Sequence, residues 1–495
     1  MGIREHFKCL LYKTPDNAYA IEHFQSWWTW AKLRSCAHLL EESLKNAGVG
    51  SSERVGLILE NRPEHVATLL KLLETNRTVV VLSSLQPTMR LIADIQRLKI
   101  RVLIGSSRRL QDKKLLIASM ANTLVFELNC IGETYFVGGK TLIDSITPSD
   151  IAIEMPTSGT TGIPKQIKLS YQQIENALIA SGQIPKDTQL LTESVSLISM
   201  PIFHISGLWG ILSALYTGRK IVLMSKFVLE PWVEVIERYK IRATFLVPAA
   251  LHDLLNADID PTKINSLKVI TSGSTYCPPK LIDQILARYG IRVLMTYGAT
   301  EFAGAVAGWD YKLHKEWWTL KSGSSGKAYP GIKLRITNEF GHELPIGQSG
   351  YLEVCTVQTT LENKCRWVRT SDLANIDADG FLWVLGRTDN IIMRGGFKIQ
   401  PEKIKNLLET HPLVKEATVT GIPDIRLNSL PVAIIEAESK QCSPTVNELI
   451  CLCHSGLLPY EIPKHILIVD KLPRTATGKI NHTELLNLIE HSLSN

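Results

Sequence analysis

The sequence predicts an α/β protein, with a large N-terminal domain of doubly wound sheets followed by a small α+β domain. Three observations carry this. Through the first third of the chain, helical patterns take turns with short apolar strands. Strand and helix in alternation argue for a parallel sheet covered on both faces. The same rhythm returns further on, and several of its strands end in Gly, Ser or Pro. From about residue 387 the pattern changes to a short helix and strands of mixed order.

In chain order, FQSWWTWAKLRSCAHLLEESLKNAG has helical periodicity, RVGLILE is a strand, and PEHVATLLKLLE is a helix opened by proline. TVVVL and RVLIGS are further strands, and SVSLISMP, KIVLMS, ATFLVP, KVITSG and RVLMTYG continue the series. Ligands of open α/β sheets gather at the carboxyl ends of the strands, which places the expected site there. After Arg387 a helix carries Ile404, Leu407 and Leu408 on one face and ends at His411 and Pro412. EATVTG and PVAIIEAE are strands, ELICLCH a helix and HILIVD a strand, enough for a domain of about a hundred residues. The expected domains are 1–386 and 387–495.

Composition limits the possible functions. The 495 residues are 45% hydrophobic and 21% charged, an ordinary globular balance. The net charge of +6 is spread without a sustained Lys/Arg run, so small anions are expected as partners and nucleic acid is not. The opening MGIREHFKCLLYKTPDN lacks the apolar core of a secretory signal, and no apolar run approaches a membrane span. Nine scattered cysteines fit reduced thiols better than a disulfide framework, and the expected location is cytoplasmic. Cys451, Cys453 and His454 cluster without a second ligand group at zinc spacing, which points to core thiols on a helix.

The stretch TSGTTGIPKQIKLS, residues 157–170, has the makings of a phosphate cradle. Its glycines let backbone N–H groups turn inward, while Ser158, Thr160, Thr161 and Lys165 add hydroxyl donors and a positive charge. Only two residues separate Gly159 from Gly162, and Gln166 follows the lysine, so this is not the familiar P-loop. IAIEM before it and QIKLS after it are strand patterns, so the loop joins strand to strand. The next helix starts later, where Ser170 and Gln173 have capping-box spacing.

TSGTTGIPK, YGATE (297–301), RTSDLA (369–374), GRTDNIIMRGGFKI (386–399) and PRTATGK (473–479) stand in one order. Together they resemble the adenylate-forming superfamily of acyl-CoA synthetases, nonribosomal peptide adenylation domains and luciferases, most closely its stand-alone acyl- or aryl-CoA ligases. The resemblance covers essentially the whole chain. It implies attack of a carboxylate on the α-phosphate of ATP, departure of pyrophosphate and capture of the acyl-adenylate by a thiol. The cofactors implied are ATP, Mg²⁺ and coenzyme A or a carrier protein's phosphopantetheine.

Residue roles follow from the same resemblance. The loop from Thr157 through Gly162 to Lys165 would hold the departing phosphates, and Ser272, Gly273 and Ser274 would line the adenine. Tyr297 would stack on adenine beside Gly298, Thr300 would donate to the α-phosphate, and Glu301 would hold Mg²⁺, a cation that prefers oxygen ligands. Asp372 with Arg387 would take the ribose hydroxyls. Lys479 would neutralise charge developing between the carboxylate and the α-phosphate. Asp389 would be the hinge of a mobile small domain, and Gly395 and Gly396 would line the thiol tunnel. PIFHISGLWG (201–210) resembles the acyl-pocket segment, with Phe203, His204, Gly207 and Ala299 at the pocket and His204 near the thiol.

Gln166 stands where the family has glycine after the lysine, and Ser371 where it has the glycine of its TGD motif. SGSTYCP (272–278) is an unusual adenine segment, and IRLNSLPVAIIE lacks a common Gly-Glu pair. No acidic residue adjoins His204, which disfavours an amino acid and favours an apolar acid. An enzyme loading a carrier protein is the alternative, since both use the same first step. A catalytically silent nucleotide-binding protein is disfavoured because Glu301, Asp372, Arg387 and Lys479 are all present.

Overall fold

A computed structural model describes residues 2–494 except 87, 111–121, 140–148, 158–164, 186–188, 275, 357–365, 388–391, 395–396, 425–426, 440–441, 458–459 and 476–477. For 89, 90, 157, 165, 366, 387, 393, 397, 398, 428 and 494 it describes the backbone alone. Backbone contacts divide the chain into two units, residues 1–333 with 355–366, and residues 334–354 with 367–495. This division falls ahead of the boundary read at residue 387.

The first unit is α/β. Its largest sheet runs Thr134–Gly138, Leu124–Leu128, Val102–Ser106, Arg54–Leu59, Thr78–Ser83, Ile151–Thr157, Lys165–Ser170. The five central strands are parallel and both edges antiparallel. Val79, Val81, Leu57 and Ile104 are fully buried within it, as expected for parallel strands covered on both faces. A second sheet holds Ala243–Phe245, Val269–Ser272, Arg292–Ala299, Gly304–Gly308 and Lys327–Ala328. A third orders Val195–Ile198, Lys220–Leu223, Tyr19–His23 and Ser26–Thr29.

The third sheet corrects one expectation. Ser26–Thr29 belongs to an antiparallel hairpin with Tyr19–His23, and the helix starts only at Trp30, capped by the Thr29 hydroxyl. Phe24 and Gln25 make the turn at φ 48° and 59°. These angles usually call for Asn-Gly or Asp-Gly, so the signal for the hairpin is missing from the sequence.

The second unit holds the sheet Lys333–Thr337, Gly350–Thr356, Arg366–Ile376, Leu382–Arg387. It also holds a sheet built on the long hairpin Val414–Asp424 and Asn428–Ala437, with His465–Val469 parallel to the latter. Helix Pro401–Leu408 buries Ile404 and Leu408 on this sheet's core, with Cys453 from helix Val446–Gly456. Cys451 of the same helix is exposed, so only one of the pair is a core thiol. Among the described residues seven cysteines form no disulfide, whereas Cys355, at the end of its strand, is disulfide-bonded, against the expectation of reduced thiols throughout. No helix among the described residues is long and apolar enough to cross a membrane.

One half-buried carboxyl here sets a pH dependence. Glu409 ends helix Pro401–Leu408 and accepts the Ala417 N–H at 3.0 Å, and burial lifts its pKa to about 6. A raised carboxyl favours the folded state in acid, and that contribution is lost as pH rises through about 6. Glu409→Gln keeps the acceptor and removes the charge. It is expected to stabilise the fold by on the order of 1–2 kcal/mol at pH 7.5 and by nothing at pH 4.5, as read by urea unfolding at both.

Candidate active site

The loop expected to hold phosphate does connect two strands. Ile151–Thr157 pairs antiparallel with Lys165–Ser170, and Thr157 stands opposite Lys165. Ser158, Gly159, Thr160, Thr161 and Gly162 lie outside the described residues. Beyond the return strand, the Ser170 hydroxyl accepts from Gln173 N at 3.1 Å while Gln173 Oε1 accepts from Ser170 N at 2.8 Å. This is the capping box read from the spacing, and it starts the helix after the strand rather than at the loop.

Tyr297, Gly298 and Ala299 end the strand Arg292–Ala299, and Thr300 and Glu301 form a single 3₁₀ turn with Phe302. The chain then reverses. Ala303 takes φ 56° and Gly304 φ 146°, and Gly304–Gly308 runs back antiparallel with Ala299 opposite Gly304. Thr300 and Glu301 thus sit half-buried at the apex of a hairpin, at the carboxyl end of a strand that is parallel to its other neighbour. The hairpin is closed so tightly that a Cβ on Gly298 would come 2.2 Å from the Gly304 carbonyl oxygen. Gly298→Ala must therefore displace the turn, and is expected to weaken ATP binding by roughly tenfold or more in equilibrium dialysis.

Val269–Ser272 lies alongside, with Ser272 in register with Met295. Thr296 Oγ1 donates to the Ser272 carbonyl at 3.1 Å. A Cβ on Gly273 would meet that hydroxyl at 2.8 Å, so the segment lies flush against Thr296. Ser274 takes a left-handed φ of 72°. The Ser272 hydroxyl is fully buried and has no partner among the described residues.

Helix Ile205–Tyr216 follows from the segment expected at the acyl pocket. His204 is its N-cap residue, without a side-chain cap bond, and its ring lies 4.6 Å from that of buried Phe203. A Cβ on Gly207 would meet the Pro201 carbonyl at 2.2 Å, which requires glycine there. One residue that the sequence does not single out completes the geometry. The Trp209 ring stands 3.3 Å from where a Gly304 Cβ would be, so the indole covers the turn that carries Thr300 and Glu301. An aromatic residue four positions after the helix starts is the only trace of this in the sequence, and core packing produces the same pattern. Strand Lys165–Ser170 touches the turn Thr300–Phe302. Strand Lys165–Ser170, the 3₁₀ turn and helix Ile205–Tyr216 therefore meet in one place.

The second unit carries the other expected residues. Arg366–Ile376 runs antiparallel to Leu382–Arg387 with Asp372 and Arg387 as register partners. The Thr370 hydroxyl holds the approach, accepting the Asp372 N–H at 3.1 Å and donating to the Leu352 carbonyl at 3.0 Å. Lys479 is exposed, on a loop closed by a bridge between Arg474 and Ile480. Thr475 N–H donates to the Lys479 carbonyl at 2.7 Å, and Arg474 Nη1 to the Gly478 carbonyl at 2.8 Å. Asn481 Oδ1 then accepts the Glu484 N–H at the start of the last helix. Asp389, Gly395 and Gly396 lie outside the described residues.

A small-residue loop between strands, a carboxylate at a strand-end turn and an apolar helix over that turn define an adenylate-forming enzyme. Residues 10–361 match the family model of the AMP-binding enzymes and residues 403–479 that of the AMP-binding enzyme C-terminal domain; the chain belongs to this family. It is an AMP-forming acid–thiol ligase. It is 28% identical over 487 residues to a 2-succinylbenzoate–CoA ligase of Bacillus pumilus, an alignment covering 96% of each chain. It is 33% identical over 350 residues to an indoleacetate–CoA ligase of Aromatoleum aromaticum, covering 67% of this chain and 66% of that one. Its fold matches ATP-bound MatB from Rhodopseudomonas palustris with a TM-score of 0.84 at 21% identity, covering 99% of both chains.

Proposed function

We propose that this enzyme activates an apolar aromatic acid in the cytoplasm and passes the acyl group to coenzyme A. The acid's carboxylate oxygen attacks the α-phosphorus, the bond from that phosphorus to the bridging oxygen of the β-phosphate breaks, and pyrophosphate leaves. The thiolate sulfur then attacks the acyl carbon and AMP departs. Thr300 donates to the α-phosphate, Tyr297 with Ser272 to Ser274 receives adenine, and Asp372 with Arg387 receives ribose. His204 and Phe203 face the acid, and Lys479 neutralises charge in the first step.

The observation that carries this reading is the turn Thr300–Phe302, touched by the phosphate-loop strand while Trp209 covers Gly304 next to it. Two reacting groups, phosphate and carboxylate, need to meet at such a point. Mg²⁺ fits the donor set. No group of three or more His, Cys, Asp or Glu among the described residues could hold a metal by itself. Mg²⁺ is commonly held by one or two carboxylates plus substrate phosphates, and Glu301 would be that carboxylate. When bound, the ion would neutralise phosphate charge. For the acid, support comes from Phe203, Leu208 and Trp209 around His204 without a carboxylate between them, and from two relatives named for aromatic acids.

The test is a panel of aromatic, fatty and amino acids assayed by pyrophosphate release, with coenzyme A and with a phosphopantetheinyl carrier protein as acceptors. Aromatic acids are expected to turn over fastest, and coenzyme A to be consumed. Preference for amino acids would overturn the substrate class, and thioester on the carrier protein alone would overturn the acceptor.

A further inference from the structure

Asn61 is not among the residues assigned to the site, yet it fixes the backbone on which two of them stand. It lies between the strand Arg54–Leu59 and the helix Pro63–Glu74. Its side chain is buried and makes three hydrogen bonds. Nδ2 donates to the carbonyls of Met200 and Met224, each at 2.9 Å, and Oδ1 accepts the Ile202 N–H at 2.9 Å. The amide can point only one way, because the flipped form would set its oxygen against two carbonyls.

These bonds join two sheets. Arg54–Leu59 belongs to the seven-stranded sheet, whereas Met200 and Met224 follow Val195–Ile198 and Lys220–Leu223, neighbours in the four-stranded one. Between the strand end and the helix, residues 199–204 have no ladder of their own. Gly207 presses on the Pro201 carbonyl from the helix side, and His204 N–H donates to the same carbonyl at 3.1 Å. Met200 to Ile202 are thus gripped from both sides, and the next two residues are Phe203 and His204.

We propose that Asn61 is a positioning residue for acid specificity, which sets Phe203 and His204 through the backbone of Met200 and Ile202. The inference rests on the reading of Phe203 and His204 as the acyl pocket. No other side chain supplies this pattern: aspartate lacks both donors, glutamine is one methylene too long, and serine or alanine leaves backbone groups of a buried segment unpaired.

The test uses the full chain, with ATP, coenzyme A and the best acid from the panel above. In Asn61→Ala the KM for the acid is expected to rise roughly tenfold or more, and discrimination among acids to narrow, while AMP affinity stays within about twofold. Combining it with His204→Ala should add little further loss of discrimination, because both act through one group. Should Asn61→Ala not fold, Asn61→Ser, which retains one hydroxyl, is read by the same measures. A loss of AMP affinity as large as the rise in acid KM marks a merely structural role and overturns the proposal. So do additive losses in the double variant, or an unchanged acid KM in either folded variant. If the unmodified chain turns over no acid at all, it is the proposed function that fails, and this shows before any variant is made.

Discussion

Glu301→Gln is expected to slow acyl-adenylate formation by roughly 10²–10³-fold and to leave the fold intact. The first half follows from charge. If Glu301 is the protein's carboxylate for a phosphate-bound Mg²⁺, the amide removes a negative ligand while charge is moving from the carboxylate to the pyrophosphate, a loss of several kcal/mol. The second half follows from position. Glu301 sits half-buried in a one-turn 3₁₀ element whose anchoring is done by Phe302, 1% exposed, and by the pairing of Ala299 with Gly304. Glutamine has the same shape and disturbs neither. Single-turnover formation of adenylate at saturating Mg²⁺, beside a thermal melt, reads both. A normal rate would show that the metal's carboxylate lies elsewhere.

The turn at the centre of this candidate site is legible in the sequence because its elements are local. YGATE places a strand end, a threonine and a carboxylate within five residues, and Ser170 with Gln173 announces where the helix starts. The parallel strands are equally plain, since burial on both faces turns them into apolar runs such as TVVVL. What stayed hidden depends on distant partners or on unusual backbone. The hairpin at Phe24 and Gln25 lacks the glycine that would have marked it. Trp209 acquires its place over the turn only because the strand Gly304–Gly308 brings a glycine beneath it. Asn61 is 139 residues from Met200 and 163 from Met224, so no window of sequence connects them. The boundary read at residue 387 marks where the order of elements changes. Contacts instead group Leu334–Val354 and Trp367 onward with the C-terminal residues.

Lys479→Ala is expected to lower adenylate formation by roughly 10²–10³-fold and to spare thiol transfer. The positive charge is worth about 3–4 kcal/mol if it meets the charge developing between carboxylate and α-phosphate. The loop that bears it is built to hold a direction. The Thr475 N–H, the Arg474 guanidinium and the Arg474–Ile480 bridge brace the backbone on both sides of the lysine, so its aim follows the body of the domain rather than the loop. A rotation about Asp389 would then withdraw Lys479 from the phosphates and bring Gly395 and Gly396 to the thiol. Such a rotation has to undo a contact seen here, the Glu402 side chain lying 3.3 Å from where a Gly386 Cβ would be, across the proposed hinge. That contact is the edge of one helix on one strand, which is the kind of packing a hinge can release. Two half-reactions separate the possibilities. ATP and acid without thiol report the first step, and chemically prepared acyl-adenylate with coenzyme A reports the second. Asp389→Pro, which fixes φ at the hinge, should show the opposite bias and slow the second step more than the first. Equal loss of both steps in a folded Lys479→Ala variant would mean that one pose serves both reactions.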